Sequence, residues 1–86
     1  MNKVIWKYSV TLGKNTLVLP THHDVVHFGV QNDCCFVWVS MVPNETPLYN
    51  WCYDVVATGE EYEGQHVMTC IENSFVWHLI HRRIYK

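Results

Sequence analysis

Seven short runs of β-forming residues, each closed by a turn signal, occupy nearly the whole of an 86-residue chain and leave almost no room for a helical pattern. Lys3–Val10 alternates, with Val4, Trp6, Tyr8 and Val10 on one face and Lys7 and Ser9 on the other. Leu12-Gly13-Lys14-Asn15 turns the chain into a second strand, Thr16–Leu19, which Pro20 ends because proline cannot donate to a ladder. After the polar link Thr21–Asp24, Val25–Gln31 and Cys34–Val42 form a hairpin around Asn32-Asp33, two residues that tolerate left-handed backbone. Pro43–Pro47 is a stiff loop, and Leu48–Asn50 could form one helical turn before a fifth strand, Trp51–Thr58. The acidic loop Gly59–Gly64 follows, then a last hairpin of Gln65–Glu72 and Phe75 to about Ile84 around Asn73-Ser74. Links this short imply antiparallel connections, since a parallel crossover takes a dozen or more residues. The expected fold is a single all-β domain over residues 1–86, a compact antiparallel sandwich or partly open barrel of six or seven short strands.

A chain of this length buries only roughly 60–65 % of its unfolded surface. Its stability margin is thin, and disulfides, a metal or oligomerisation are the usual remedies. Cys34, Cys35, Cys52 and Cys70 contain no CxxC pair, and the neighbours Cys34 and Cys35 point to opposite faces of a strand, so reduced core thiols are expected. The fourth strand is apolar on both faces, with Phe36, Trp38 and Val42 on one and Cys35, Val37, Val39 and Met41 on the other. One small core cannot cover both. The expected partner is a second copy of the chain, in a homo-oligomer with Phe36, Trp38 and Met41 at the interface.

The net charge of −2 argues against coating of duplex nucleic acid, which needs a strong positive field. Met1-Asn2-Lys3 runs directly into a strand with no leader pattern, and no apolar run is long enough to span a membrane, so the expected compartment is the cytoplasm. His23 and His27 are four apart and would share a face of an uninterrupted strand, but neither they nor the other histidines show the paired short spacings of a zinc site. No metal and no cofactor is expected.

The candidate ligand-binding residues fall in three places. His81, Arg82 and Arg83 near the C-terminus could hold a phosphate through charge-assisted hydrogen bonds. Tyr49 and Trp51 flank the Pro47 loop, where an aromatic ring could stack on a base. Thr58 precedes Gly59, in a turn whose backbone could approach a ligand closely, although the lysine and glycine spacing of a phosphate loop are missing. His78 and His81, three apart, belong on opposite faces. No local motif pairs a nucleophile with a base and an orienting group, so no enzyme is expected.

Ile5-Trp6-Lys7-Tyr8, Leu19-Pro20, Val30-Gln31-Asn32, Val37-Trp38-Val39, Val42-Pro43, Val56-Ala57-Thr58-Gly59 and Phe75-Val76-Trp77-His78-Leu79 form an ordered set of landmarks. In these the chain resembles a family of small uncharacterised phage and prophage proteins, which carries no assigned catalytic or binding residues. The resemblance implies an accessory protein in the cytoplasm of a bacterial host. The leading expectation is a counter-defence binding protein that sequesters a nucleotide-type immune signal as a homo-oligomer. Two others stand beside it: an anti-CRISPR-like inhibitor of a host defence protein, with Glu60, Glu61 and Glu63 imitating phosphates, and a structural or morphogenetic phage component.

Overall fold

The structure, a computed structural model, describes residues 2–86; Met1, at the expected leaderless start, lies outside them. Seven strands form: β1 (Val4–Val10), β2 (Thr16–Pro20), β3 (His23–Gln31), β4 (Cys34–Met41), β5 (Leu48–Ala57), β6 (Gln65–Glu72) and β7 (Phe75–Tyr85). They make two antiparallel sheets, ordered β1-β4-β3 and β2-β5-β7-β6, which pack face to face without closing into a barrel. The turn chemistry explains the hairpins: Asn32 and Asp33 both take positive φ, 53° and 61°, as a two-residue turn matched to strand twist requires, and Asn73 does so in the last hairpin. Leu48–Asn50 is extended rather than helical, because β2 offers it a ladder in which Val18 faces Asn50 and Pro20 faces Leu48.

Period-two burial fills the space between the sheets. Cys35, Val37, Val39 and Met41 point inward from β4, against Leu17 and Leu19 of β2, Val55 of β5 and Leu79 of β7. Each large aliphatic side chain fully removed from water here contributes about 1.5–3 kcal/mol. Cys35, Cys52 and Cys70 are buried free thiols, whereas Cys34 at the β3–β4 turn is exposed rather than in the core. Burial pushes the Cys35 and Cys70 thiols up to about 11, which keeps them protonated at neutral pH.

Three of the ladders carry a one-residue register shift. On β3, Val25 faces Val39 and His27 faces Trp38, with Val26 left over. On β6, His66 faces Ile80 and Met68 faces Leu79, with Val67 left over. On β7, Arg83 faces Cys52 and His81 faces Tyr53, with Arg82 left over. Each extra residue interrupts the alternation of faces, so residues on either side of it change partners across the sheet. His23 and His27 are therefore separated: His23 points between the sheets and His27 lies outside beside Trp38, which removes the shared face that their spacing predicts.

The two sides of the sandwich differ. Along one, β3 and β6 are clasped by Glu72, whose carboxylate accepts the Val30 N–H and the Cys70 thiol. Along the other, β1 and β2 are edge strands of different sheets and do not pair with each other.

Chain order and pairing together impose one long connection. β5 and β6 both run antiparallel to β7, which lies between them, so they are parallel to each other and the antiparallel link expected at Gly59–Gly64 does not exist. The connection runs back along the outer face of β7 instead. Gly64 ends that crossing at φ +111°, where an added Cβ would lie 2.3 Å from the His81 carbonyl oxygen and 2.8 Å from the Arg82 Cα. Gly64→Ala is expected to cost about 2–3 kcal/mol in urea denaturation. Gly59→Ala, at φ +94° with open space around it, is expected to cost about 1 kcal/mol.

Candidate functional site

The crossing loop and the β1–β2 turn bound a recess of about 610 Å³ on the outer face of the four-stranded sheet. Asn15 shapes the turn, donating from Nδ2 to the Thr11 and Gly13 carbonyls and accepting the Thr11 N–H. Gly13 then exchanges two 2.8 Å backbone hydrogen bonds with Val55, which fixes Lys14 at the rim. Arg82 and Arg83 enter from β7. In a regular strand they would point to opposite faces; the extra residue at Arg82 lets both line the same recess.

Asp54, 8 % exposed, forms the floor. Its Oδ2 accepts from Arg82 Nε at 2.5 Å, and its Oδ1 accepts the Asn15 N–H. That bond raises the Arg82 guanidinium above its ordinary value and makes Arg82 a fixed charge, while Arg83 is exposed and free of any such partner among the described residues. Glu61, Tyr62 and Glu63 close the recess from the crossing loop.

A smaller pocket of about 190 Å³ adjoins the recess and shares Val56 and Tyr62 with it. Its polar wall is a row of hydrogen bonds: Thr58 Oγ1 to His78 Nε2 at 2.8 Å, His78 Nδ1 to Thr69 Oγ1 at 2.9 Å, and Thr69 Oγ1 to His66 Nε2 at 2.8 Å. His66 and Thr69 are three apart and share a face only because Val67 is the extra residue of β6.

Of the six sequence-selected ligand residues, Thr58, Arg82 and Arg83 lie on one face, Thr58 in the smaller pocket and the two arginines in the recess. Trp51, Tyr49 and His81 belong to the opposite face, between the sheets. Trp51 is only 9 % exposed and donates its indole N–H to the Leu19 carbonyl at 3.1 Å, so it is a core residue and offers no stacking platform beside the Pro47 loop. Trp77 is half-buried and packs against the core. Phe36 and Trp38 lie on the outer face of the three-stranded sheet, part-covered by Lys7 and His27. Met41 points inward at 8 % exposure and floors a cleft between the β1 and β2 edges.

His81 packs 5.0 Å from Trp51 and 5.3 Å from Tyr53, ring centroid to ring centroid. His23 completes the cluster: its Nδ1 donates to the Pro20 carbonyl at 2.8 Å, which leaves Nε2 to accept from Tyr53 Oη at 2.7 Å. His81 Nε2 is buried without a partner, and burial followed by the neighbouring His23 lowers the His81 pKa. Sequence reasoning missed Lys14, Tyr62, His66, Thr69 and His78 as neighbours of the site, because loop crossing and register shifts bring them together and neither has a local signature. Among the described residues no group of three or more His, Cys, Asp or Glu side chains is placed to hold a metal, and no helix is long and apolar enough to cross a membrane.

Fold and site define a small two-sheet β-domain with a charged recess on one outer face. The chain belongs to the family of a domain of unknown function, DUF7352, whose family model matches residues 1–85. No curated protein and no solved structure matches it.

Of the groups whose pKa is shifted, His81 and Glu72 set the pH dependence in the neutral-to-acid range. His81 holds its proton less well folded than unfolded, so below about pH 6.5 the unfolded chain binds more protons and stability falls until the folded pKa is passed. Glu72 is held below its ordinary 4.5 by the Val30 N–H and the Cys70 thiol; its contribution is present above that value and lost as pH falls through the folded one. Urea midpoints measured from pH 8 to 3 are expected to fall in both windows, and His81→Phe is expected to flatten the upper one.

Proposed function

We propose that the protein is a binding protein whose recess captures a nucleotide-type ligand. The single observation that carries this reading is the convergence of Lys14, Arg82 and Arg83 with Tyr62, Glu61 and Glu63 around one recess of about 610 Å³. That volume lies within the roughly 300–1,000 Å³ range of small-molecule sites. Lys14 and Arg83 supply charge-assisted donors for phosphate oxygens. The carboxylates of Glu61 and Glu63 can accept the hydroxyls of a ribose, and the half-exposed ring of Tyr62 offers a face to a base. A purely anionic ligand would meet as many acids as bases here, whereas a ligand with a charged end and a hydroxyl-bearing end meets a partner for each.

We read such capture as counter-defence, the removal of a nucleotide-type immune signal in the cytoplasm of an infected bacterium, on the strength of the resemblance to phage and prophage proteins. The alternative of an acidic loop imitating nucleic acid has less support: Glu60 is engaged by the Ala57 N–H at 2.7 Å, and Glu61 and Glu63 line the recess together with the arginines. No feature favours a virion component.

Self-association is the second part of the proposal, at a place other than the fourth strand. Trp6, Val18 and Leu48, each more than half exposed, line the cleft of about 390 Å³ between the β1 and β2 edges. Neither edge carries the register shifts found on β3 and β6, and an unshifted, apolar edge is a template for pairing with a second copy. Native mass measurement is expected to give a homo-oligomer that Val18→Lys reduces to single chains; a wild-type protein that stays a single chain at tens of micromolar contradicts this part.

Calorimetry with a panel of linear and cyclic nucleotides tests the first part. At least one is expected to bind, with affinity reduced about tenfold or more in Arg83→Ala. No heat from any member overturns the reading.

A further inference from the structure

The row Thr58–His78–Thr69–His66 is a second, independent feature of the same face, and it does not depend on the recess being a nucleotide site. Its donors and acceptors can be assigned without conflict. With His78 neutral and its proton on Nδ1, Nδ1–H donates to Thr69 Oγ1, the Thr69 hydroxyl donates to His66 Nε2, and His78 Nε2 accepts the Thr58 hydroxyl. The first two bonds of the row are those of a hydroxyl nucleophile, a base within hydrogen-bond reach and a third group orienting the base. The four residues come from a turn and two strands, which is why no spacing in the sequence announces them.

We infer that Thr58 Oγ1 is a nucleophile activated by His78 as general base, and that it accepts a small acyl group from an activated ester or thioester. The adjoining pocket has the size and lining for the acyl part: about 190 Å³, with Val56, Ala57, Ile80 and Tyr62 giving it apolar surface. In the step itself the Thr58 oxygen forms a bond to the acyl carbon while the bond from that carbon to the leaving oxygen or sulfur breaks. The Thr58 proton passes to His78 Nε2, and the leaving group departs with the electron pair of the broken bond. Thr69 is a positioning residue. It holds Nδ1–H of His78 and so keeps Nε2 unprotonated and directed at Thr58. The other titratable groups facing His78 are His66 from β6 and Glu60 and Tyr62 from the crossing loop.

The full chain incubated with p-nitrophenyl acetate tests the inference, read by release of p-nitrophenolate and by peptide mass mapping. An acetyl group on Thr58 is expected, absent in Thr58→Val and formed about 100-fold more slowly in His78→Gln. Thr69→Val is expected to slow acetylation in a chain that stays folded, and Thr69→Ser, which keeps the hydroxyl, is expected to restore it; a purely structural role would not separate the two variants. Acetylation confined to lysines, or Thr58 acetylated equally fast in a folded His78→Gln variant, overturns the inference.

Discussion

Three extra residues in otherwise regular ladders, Val26, Val67 and Arg82, decide which side chains of this domain meet. A strand has only two faces, and the chain assigns residues to them alternately until an insertion resets the count. The reset at Arg82 puts two consecutive arginines over one recess. That at Val67 aligns His66 with Thr69, and that at Val26 sends His23 between the sheets while His27 stays outside. The recess, the Thr58–His78–Thr69–His66 row and the His23–His81 cluster each include residues from a strand that carries one of these shifts.

The second constraint is topological. Because β7 lies between β5 and β6, the seven residues 58–64 must cross the outer face of β7, from the level of Trp77 where β5 ends to that of His81 where β6 begins. Ile80 and Asp54 are consequently buried on that face, and the loop brings Tyr62, Glu61 and Glu63 with it. The approach of Gly64 to the His81 carbonyl leaves no space for a side chain, so this one position lets the loop lie against the irregular part of β7. Fold and candidate site therefore share a dependence on a glycine that does not itself line the recess.

Much of the architecture could be read from the residues themselves. Alternation located all seven strands within about three residues at each end, and Asn32-Asp33 and Asn73-Ser74 marked the two hairpins through their tolerance of left-handed backbone. The sandwich or partly open barrel followed from the short links, which imply antiparallel connections. What could not be read was which faces survived an insertion, since an extra residue has no composition of its own. Thr58, Arg82 and Arg83, chosen for their chemistry, line pockets on the outer face, whereas Trp51, chosen for its place beside a loop, is a core residue in a strand that begins three residues earlier than its pattern shows. His78 was visible only as half of a pair on opposite faces, a geometry the structure retains; its neighbours Thr58 and Thr69 come from other elements.

The register between β5 and β7 can be measured directly by cross-strand nuclear Overhauser effects in isotope-labelled protein. The account predicts that Cys52 faces Arg83 and Tyr53 faces His81, with Arg82 opposite neither. An unbroken ladder in which Tyr53 faces Arg82 would return the two arginines to opposite faces and contradict it.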